Sequence, residues 1–561
     1  MPATIEDAEH VLATHFGYAR FHPVQRRVII SVLSGRDVLA VMPTGGGKSL
    51  CFQVPALLLG GLTVVLSPLV SLMKDQVDTL VRKGIPAVGL HGGLSAGEQA
   101  DAMASAIQGE AKLLYVAPER LMAGRALTAL ARVKVSLLAV DEAHCISEWG
   151  HEFRPAYREL QAIREPLGSP PVIALTATAT PDVRDDIARV CGLIRPVRIV
   201  AGFDRGNLSY EVRRVARVDD RDREIRTRVL SRRGAVVVYA ASRARVERLA
   251  ASLARSGVRA AAYHAGQAAE LRKRTQDRFM SGAVDAIVAT SAFGMGVDKA
   301  DVRLVIHDAM PGSLESYYQE AGRAGRDGAP SECVLLYARS DRRSPEHFIR
   351  SAAPARALIE TVYAASVRVG PAGTALDLAS VASIAKVSPA ETRGALGILA
   401  RSGALVEVGG DNGAVWVRFI ATARRIRELC ARGSSEYDLL VLMARSAGSA
   451  ITTGAIIRLT SLPPGLGEVG LVAALEALVR KTVLIWKRPG AGLFVADPTL
   501  PPARLSVNWA SVAANRRASE ARLAAMVAYA EARRCRREVL LSYFGDSLNG
   551  RPCTGCDRCN P

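Results

Sequence analysis

Four groups of side chains in this 561-residue chain have types and spacings that chemistry needs. The first is MPTGGGKSL, residues 42–50. Its glycines let backbone N–H groups approach a phosphate, Lys48 brings charge to the terminal phosphates, and Ser49, opening a helix, offers a hydroxyl to Mg2+. Thr44, Gly45, Gly46, Gly47, Lys48 and Ser49 are therefore the candidate phosphate cradle. The strict eight-residue pattern has glycine where Met42 stands, so the match is to the shorter PTGxGKS form. About 90 residues later comes DEAH, 141–144, which places two carboxylates at the end of a strand. Asp141 is expected to reach the magnesium, and Glu142 to orient and deprotonate an attacking water. The third group is QEAGRAGRDG, 319–328, whose Arg323 and Arg326 are expected to share a face of a helical turn and to stabilise charge on a γ-phosphate. The fourth is Cys535, Cys553, Cys556 and Cys559, spaced C-x17-C-x2-C-x2-C, four thiolates able to close one tetrahedral structural Zn2+ site.

Apolar runs separated by amphipathic helical spacers must position these groups. VLAVMP (38–43), LTVVLS (62–67), LLYVAP (113–118), VSLLAVD (135–141) and VIALTAT (172–178) form one series. AVVVYA (235–240), RAAAYH (259–264), DAIVATS (285–291), RLVIHDA (303–309) and ECVLLY (332–337) form a second. Unbroken apolar strands alternating with helices imply parallel sheets covered on both faces, so two α/β lobes are expected in tandem, over 1–202 and 203–345. The third group, the arginine pair, then comes from the second lobe, and hydrolysis depends on lobe closure.

Composition narrows the class. A formal net charge of +19 with 49% apolar residues describes a basic globular chain with ample core, and excludes a disulfide-stapled mini-protein or a disordered tail. Such an excess favours a polyanionic partner, nucleic acid first among them. MPATIEDAEH has no apolar signal core, so the expected location is the cytoplasm, without a membrane. Residues 49–73 carry no charge and are long enough to span a bilayer. Pro55, Gly60, Gly61 and Pro68 divide them, however, into a short helix, a turn, a strand and a second helix start. The other five cysteines, scattered singly, read as small core residues.

Together these segments resemble superfamily 2 helicases, and several narrow the likeness to the RecQ family of DNA helicases. FGYARFHPVQ (16–25) is similar to that family's adenine-reading motif, which implies that Tyr18 stacks on the base and Gln25 bonds its edge. His22 stands where the family usually has arginine. DEAHCISEWGHEFRPAY (141–157) resembles the RecQ aromatic-rich loop, which implies DNA contact by Trp149, His151, Phe153, Arg154 and Tyr157. LSPLVSLMKDQV (66–77), APERL (117–121), LTATA (175–179), YAASRARVE (239–247) and ATSAFGMGVDKADVR (289–303) resemble the remaining helicase motifs, which line the strand track and the cleft. The resemblance implies RecA-like lobes, ATP and Mg2+ as cofactors, and 3′ to 5′ movement on single-stranded DNA with unwinding of branched or duplex DNA. It further implies a monomer associated with a bacterial nucleoid.

MVAYAEARRCRREVLLSYFGD (526–546) followed by CTGCDRC (553–559) resembles the RecQ zinc module, here over 501–561. The family places that module directly after the second lobe, whereas some 160 residues intervene in this chain. Of these, 378–420 read as helix, turn, helix and a hairpin turning at Asp411 to Gly413, a winged-helix pattern assigned to 346–425. A weaker echo at 469–497, with its hairpin turning at Pro489-Gly490, suggests a second such unit over 426–500, with Trp416 and Trp486 on the two hairpins. The expected fold class is α/β tandem lobes, then a winged-helix α+β region, then a small helical zinc module.

Overall fold

The computed structural model describes residues 3–560 apart from 44, 123–125, 148–156, 158, 216, 233, 295–298, 371–372, 409–413, 459–466 and 489–490, and apart from the side chains of 449, 458 and 467–469. It divides into two compact units, Met1–Pro345 with Ala521–Pro561, and Glu346–Glu520.

The first unit contains both α/β lobes. In the first lobe lie β1 (Val38–Val41), β2 (Leu62–Leu66), β3 (Ala87–Leu90), β4 (Leu113–Val116), β5 (Val135–Val140), β6 (Val172–Thr176) and β7 (Val197–Val200). Their order is β3-β4-β2-β5-β6-β1-β7, and every pairing is parallel. The second lobe has β8 (Leu208–Arg214), β9 (Ala235–Tyr239), β10 (Ala260–Tyr263), β11 (Ala286–Ala289), β12 (Val302–His307) and β13 (Ser331–Tyr337), again all parallel, in the order β10-β11-β9-β12-β13-β8. Central strands such as β1, β2, β4 and β6 are buried along their whole length, which is why they read as unbroken apolar runs. The charge-free stretch from Ser49 forms helix Leu50–Leu58, then β2, then the start of helix Val70–Arg82, as its prolines and glycines require. No helix among the described residues is long and apolar enough to cross a membrane.

This order decides what can meet. β5, β6 and β1 are neighbours, so the loops at their C-terminal ends, after Val140, Thr176 and Val41, lie side by side along one edge of the first lobe. In the second lobe, Ser313 caps helix Leu314–Ala321 by accepting a hydrogen bond from the Ser316 N–H at 3.2 Å. The chain leaving that helix at Gly322 carries Arg323 and Arg326.

Residues 521–560 complete the first unit by closing on the second lobe. Gly555 accepts from the Tyr210 N–H at 3.3 Å, and Tyr210 accepts from the Asp557 N–H at 3.0 Å, so the cysteine loop adds one parallel bridge to the outer edge of β8. An edge strand that would otherwise present unpaired backbone groups is thereby covered.

The second unit departs from the expected pair of successive hairpins. Its strands are β14 (Leu405–Val408), β15 (Ala414–Phe419), β16 (Ala455–Arg458), β17 (Leu484–Lys487) and β18 (Gly492–Val495). β14 pairs antiparallel with β18, while β15 lies between β16 and β17. Neither expected hairpin forms a ladder with itself, and both turn segments fall outside the described residues. Each helical group instead takes a strand from the other sequence segment. Helices Arg356–Val369, Leu378–Ala385 and Pro389–Arg401 pack with β14 and β18. Helices Ser435–Ala447 and Gly467–Arg480 pack with β15, β16 and β17. Trp416 and Trp486 consequently share one sheet, with Trp486 opposite Val417. Trp416 is buried: Cβ atoms built on Gly373 and Gly454 would lie 2.7 and 2.3 Å from its indole, and Lys487 Nζ stands 5.1 Å from the ring centre.

Candidate functional site

The cradle follows β1. Gly45 and Gly47 have φ of +80° and +67°, a left-handed backbone that side chains disfavour, and the Gly46 N–H donates to Pro43 O at 3.0 Å to tighten the turn. Ser49 follows, and helix Leu50–Leu58 starts immediately after it, so its positive end faces the loop. Thr44 lies outside the described residues. Gln25, expected at the adenine edge, is buried against the cradle itself. Its Nε2 donates to Gly46 O at 3.2 Å and Gly47 O at 3.3 Å, and its Oε1 accepts from the His22 N–H at 2.9 Å. Tyr18 remains 59% exposed, leaving ring surface open for stacking.

Asp141 and Glu142 follow β5. Asp141 is almost fully buried, and its pKa is pushed up to about 7, chiefly by burial and then by the neighbouring Glu142, with Lys48 opposing. The Glu142 N–H donates to Asp141 Oδ1 at 3.0 Å. Glu142 itself has φ +47° and ψ +48°, a left-handed conformation rare outside glycine, and a short 3-10 turn, Ala143–Ile146, follows. A buried carboxylate that feels the cradle's Lys48, with the Ser49 hydroxyl following that lysine in the chain, offers hard oxygen donors of the kind that fit Mg2+.

Thr176 and Thr178, read from sequence among the small hydroxyl residues of the strand track, are buried and serve a different purpose. His144 Nδ1 lies 3.3 Å from Glu142 Oε2 and 2.9 Å from Thr176 Oγ1. Thr176 Oγ1 also accepts from the Thr178 N–H at 3.2 Å, and Thr178 Oγ1 accepts from Gln319 Nε2 at 3.0 Å. A continuous polar chain therefore runs from the acidic pair of the first lobe to Gln319 of the second. Nothing in the types or spacing of Thr176, Thr178 and Gln319 singled them out beyond their place inside recognisable segments.

Arg326 reaches the cradle from across the cleft, while Arg323 stays within the second lobe, its Nη2 3.6 Å from a Cβ built on Gly294 and its charge close to Tyr239. Both arginines lie in a run of turns after helix Leu314–Ala321, not on the helix, so their three-residue spacing is set by that turn. A Cβ built on Gly45 would lie 3.4 Å from Arg326 Cγ, which puts the arginine stem directly against the phosphate cradle. Arg323 is buried.

Of the expected DNA contacts, Trp149, His151, Phe153 and Arg154 lie outside the described residues. Tyr157 is described and is fully buried. The expectation that its ring faces an unstacked base is therefore corrected: Tyr157 sits with the core residues just before helix Leu160–Arg164, where its apolar ring is worth more out of water.

At the far end of the first unit the four cysteines converge. The Sγ atoms of Cys535, Cys553, Cys556 and Cys559 all lie within 4.8 Å of one another, with Cys556 and Cys535 at 3.9 Å. A tetrahedron with Zn–S bonds of about 2.3 Å has sulfur–sulfur edges of about 3.8 Å, so the four thiols fit zinc. Backbone hydrogen bonds from Arg536, Arg558 and Cys559 pull the Cys556 thiol down to about 7 against burial, while Cys553 and Cys559 are pushed up, by burial and by the neighbouring cysteines respectively, as expected of crowded thiols that share one charge. Two arginines that are only 1% exposed anchor this loop. Arg536 bonds both carboxylate oxygens of Asp557, at 2.9 and 3.1 Å. Arg537 donates to Asp204 Oδ1 at 2.6 Å, Arg205 O at 3.1 Å and Leu208 O at 2.5 Å. From sequence, the arginines around Cys535 count among the places where the excess positive charge would meet nucleic acid; Arg536 and Arg537 are instead buried and spent on carboxylates and backbone, because the cysteine loop and the segment joining the lobes close over them.

Comparison with known proteins agrees with this geometry. The chain matches a DEAD/DEAH box helicase family over residues 22–187, the helicase conserved C-terminal domain over 222–328 and the RecQ zinc-binding family over 504–560. The ATP-dependent DNA helicase RecQ of Bacillus subtilis is 46% identical over 337 residues, 60% of this chain and 56% of that protein. The protein of the same name from Haemophilus influenzae is 45% identical over 59% of this chain and 53% of its own length. The chain thus spans little more than half the length of these curated relatives. Among solved structures, that of the DUF1998 helicase MrfA bound to DNA and AMPPNP shares the fold with a TM-score of 0.51 at 21% identity, over 62% of this chain and 52% of that one. The two helicase domains, the terminal RecQ zinc-binding module and the 45–46% identity to RecQ helicases together support a superfamily 2 helicase of RecQ type.

Proposed function

We propose that this protein is an ATP- and magnesium-dependent DNA helicase that moves 3′ to 5′ along single-stranded DNA and opens branched or duplex DNA in repair and recombination. In this reading it acts as a monomer in the bacterial cytoplasm at the nucleoid, with one structural zinc in its terminal module. The observation that carries the reading is Arg326 of the second lobe lying against Gly45 of the first, so that a γ-phosphate in the cradle would lie between the lobes. DNA as the strand is supported by 45–46% identity to proteins named as DNA helicases and by the net charge of +19.

Each residue then has a task. Tyr18 stacks on adenine, and Gln25 turns from the cradle carbonyls to the edge of the base. Gly45, Gly46, Gly47 and Thr44 wrap the phosphates, and Lys48 neutralises the terminal ones. Ser49 and Asp141 hold Mg2+, which when bound screens the phosphate charge and orients the γ-phosphoryl group. Glu142 holds the attacking water and accepts its proton, and Arg323 and Arg326 take up the charge that develops on the γ-phosphate. Product release removes what Arg326 holds, and the chain Glu142–His144–Thr176–Thr178–Gln319 carries the change to the second lobe as strand movement. Trp149, His151, Phe153 and Arg154 would grip unstacked bases, at about 1–3 kcal/mol for each stacked ring.

The test is ATP hydrolysis with single-stranded DNA and with RNA, followed by unwinding of duplexes tailed at either end. The expected outcome is stimulation by DNA, opening of 3′-tailed duplexes, and loss of both in Lys48→Ala. Hydrolysis that ignores DNA, or a Lys48→Ala protein equal to wild type, would overturn the reading.

A further inference from the structure

The turn that carries Arg323 and Arg326 has little regular structure of its own to hold it. Helix Leu314–Ala321 has ended, β13 has not begun, and Gly325 takes φ +53°. Three backbone carbonyls of this turn converge on one side chain. Arg205 Nη1 donates to Gly322 O at 3.2 Å, and its Nη2 donates to Ala324 O at 3.0 Å and Gly325 O at 2.9 Å. Asn207 adds Nδ2 to Gly325 O at 2.8 Å and to Ala329 O at 3.0 Å. Carbonyl dipoles aimed at one point repel each other unless a cation or several donors fill it, and a planar guanidinium fits that need better than an ammonium.

Arg205 is itself held from behind. It lies in the segment joining the lobes, where Arg537 of the cysteine module donates both to the Arg205 carbonyl and to the side chain of Asp204. On the same segment, Phe203 stacks on Phe544 with ring centres 4.6 Å apart, and its N–H donates to Asp546 Oδ2 at 2.8 Å. The grip on Arg205 therefore comes from the terminal module, some 330 residues away in sequence.

We propose that Arg205 is a positioning residue for Arg323 and Arg326: it fixes the turn that carries both and that lays Arg326 across the cleft against Gly45, and Arg537 fixes Arg205. The proposal rests on the hydrolytic roles assigned above to those two arginines. Arg205 spends its donors on backbone and takes no part in binding nucleotide. Its loss should spare ground-state binding, which the first lobe provides, and remove stabilisation that appears only in the transition state. Displacing such a group by about 1 Å is enough for large rate losses.

The experiment compares the full-length wild type, Arg205→Ala, Arg326→Ala and the double variant. The readouts are DNA-stimulated ATP hydrolysis, affinity for ADP alone, affinity for ADP with tetrafluoroaluminate as a transition-state mimic, and thermal melting. For Arg205→Ala we expect kcat to fall by about tenfold or more, with KM and ADP affinity within about twofold of wild type and affinity for the mimic reduced in step with kcat. The double variant should lose less than the product of the two single losses, because Arg205→Ala already removes part of what Arg326 contributes. If Arg205→Ala does not melt cooperatively, Arg205→Lys is read in the same way, with a smaller loss expected. A folded variant with unchanged kcat, a fall in ADP affinity equal to that in kcat, or losses that multiply in the double variant would each overturn the proposal. An Arg326→Ala protein that hydrolyses like wild type would instead overturn the reading of the site, and this proposal with it.

Discussion

Asp141 and Gly47 show how much of the site is decided by single atoms. The Asp141 carboxyl keeps its proton up to about pH 7 in the folded protein, whereas an ordinary aspartate loses it near 3.8. The folded state therefore binds the extra proton between those values, and metal-free protein loses stability as pH rises through that window, by at most about 1.4 kcal/mol per pH unit. Urea denaturation in chelator should show this slope, and Asp141→Asn should flatten it; an unchanged slope would place the titration elsewhere. Gly47 presents the opposite kind of constraint. With φ +67° and a built Cβ only 2.3 Å from Gln25 Nε2, Gly47→Ala must both strain the backbone and expel an amide engaged in three hydrogen bonds. We expect KM for ATP to rise about tenfold with little change in melting temperature, measured by steady-state hydrolysis and scanning fluorimetry.

At the scale of elements, the strands that sequence reading misses are β3, β7 and β8 in the lobes and β16 in the second unit, all at sheet edges; of the lobes' four edge strands it locates only β10. The reason is physical. A strand covered on both faces must be apolar at every residue, as in β9 (AVVVY), whereas β8 (LSYEVRR) ends its sheet, with a single bridge to the cysteine loop beyond it, and mixes in charge. Site residues followed the same division. Lys48, Asp141 and the four cysteines were legible because their chemistry dictates both type and spacing. Arg205, Thr178 and Arg537 were not, because they act through backbone or through another side chain, and any spacing that folding permits will serve. The exchanged pairing of β14 with β18 was hidden because a helix followed by two short strands looks the same whether the strands pair with each other or elsewhere. Helix contacts in the second unit are tight: a Cβ on Gly394, in helix Pro389–Arg401, would lie 1.8 Å from the carbonyl oxygen of Ser351. Gly394→Ala should therefore cost about 2 kcal/mol, seen as a lowered unfolding midpoint of the second unit by hydrogen exchange, while KM for ATP stays within about twofold.

For the molecule as a whole, the last forty residues bind the lobes together more than they enlarge them. Arg536 and Arg537 are buried charges whose partners, Asp557 and Asp204, are placed by the cysteine loop and by the segment joining the lobes. Purified protein should hold about one equivalent of zinc. Stripping that zinc, or making Cys556→Ser, should lower the melting temperature by about 5 °C or more and expose 201–208 to protease, since a buried arginine without its carboxylate is costly. A folded protein without zinc and with an unaltered melt would refute the metal assignment. The exchanged strands of the second unit have a consequence for how the chain is made. β14 leaves the ribosome more than eighty residues ahead of β18, its only ladder partner among the described residues, while β15 must be withheld from β14 and kept for β16 and β17. Throughout that interval the nascent chain carries two open strands of adjacent sequence that must not zip together. Slowing translation between residues 420 and 490 should therefore raise the fraction of newly made protein whose second unit misfolds, whereas slowing it once β18 has left the ribosome, when both partners are available, should not.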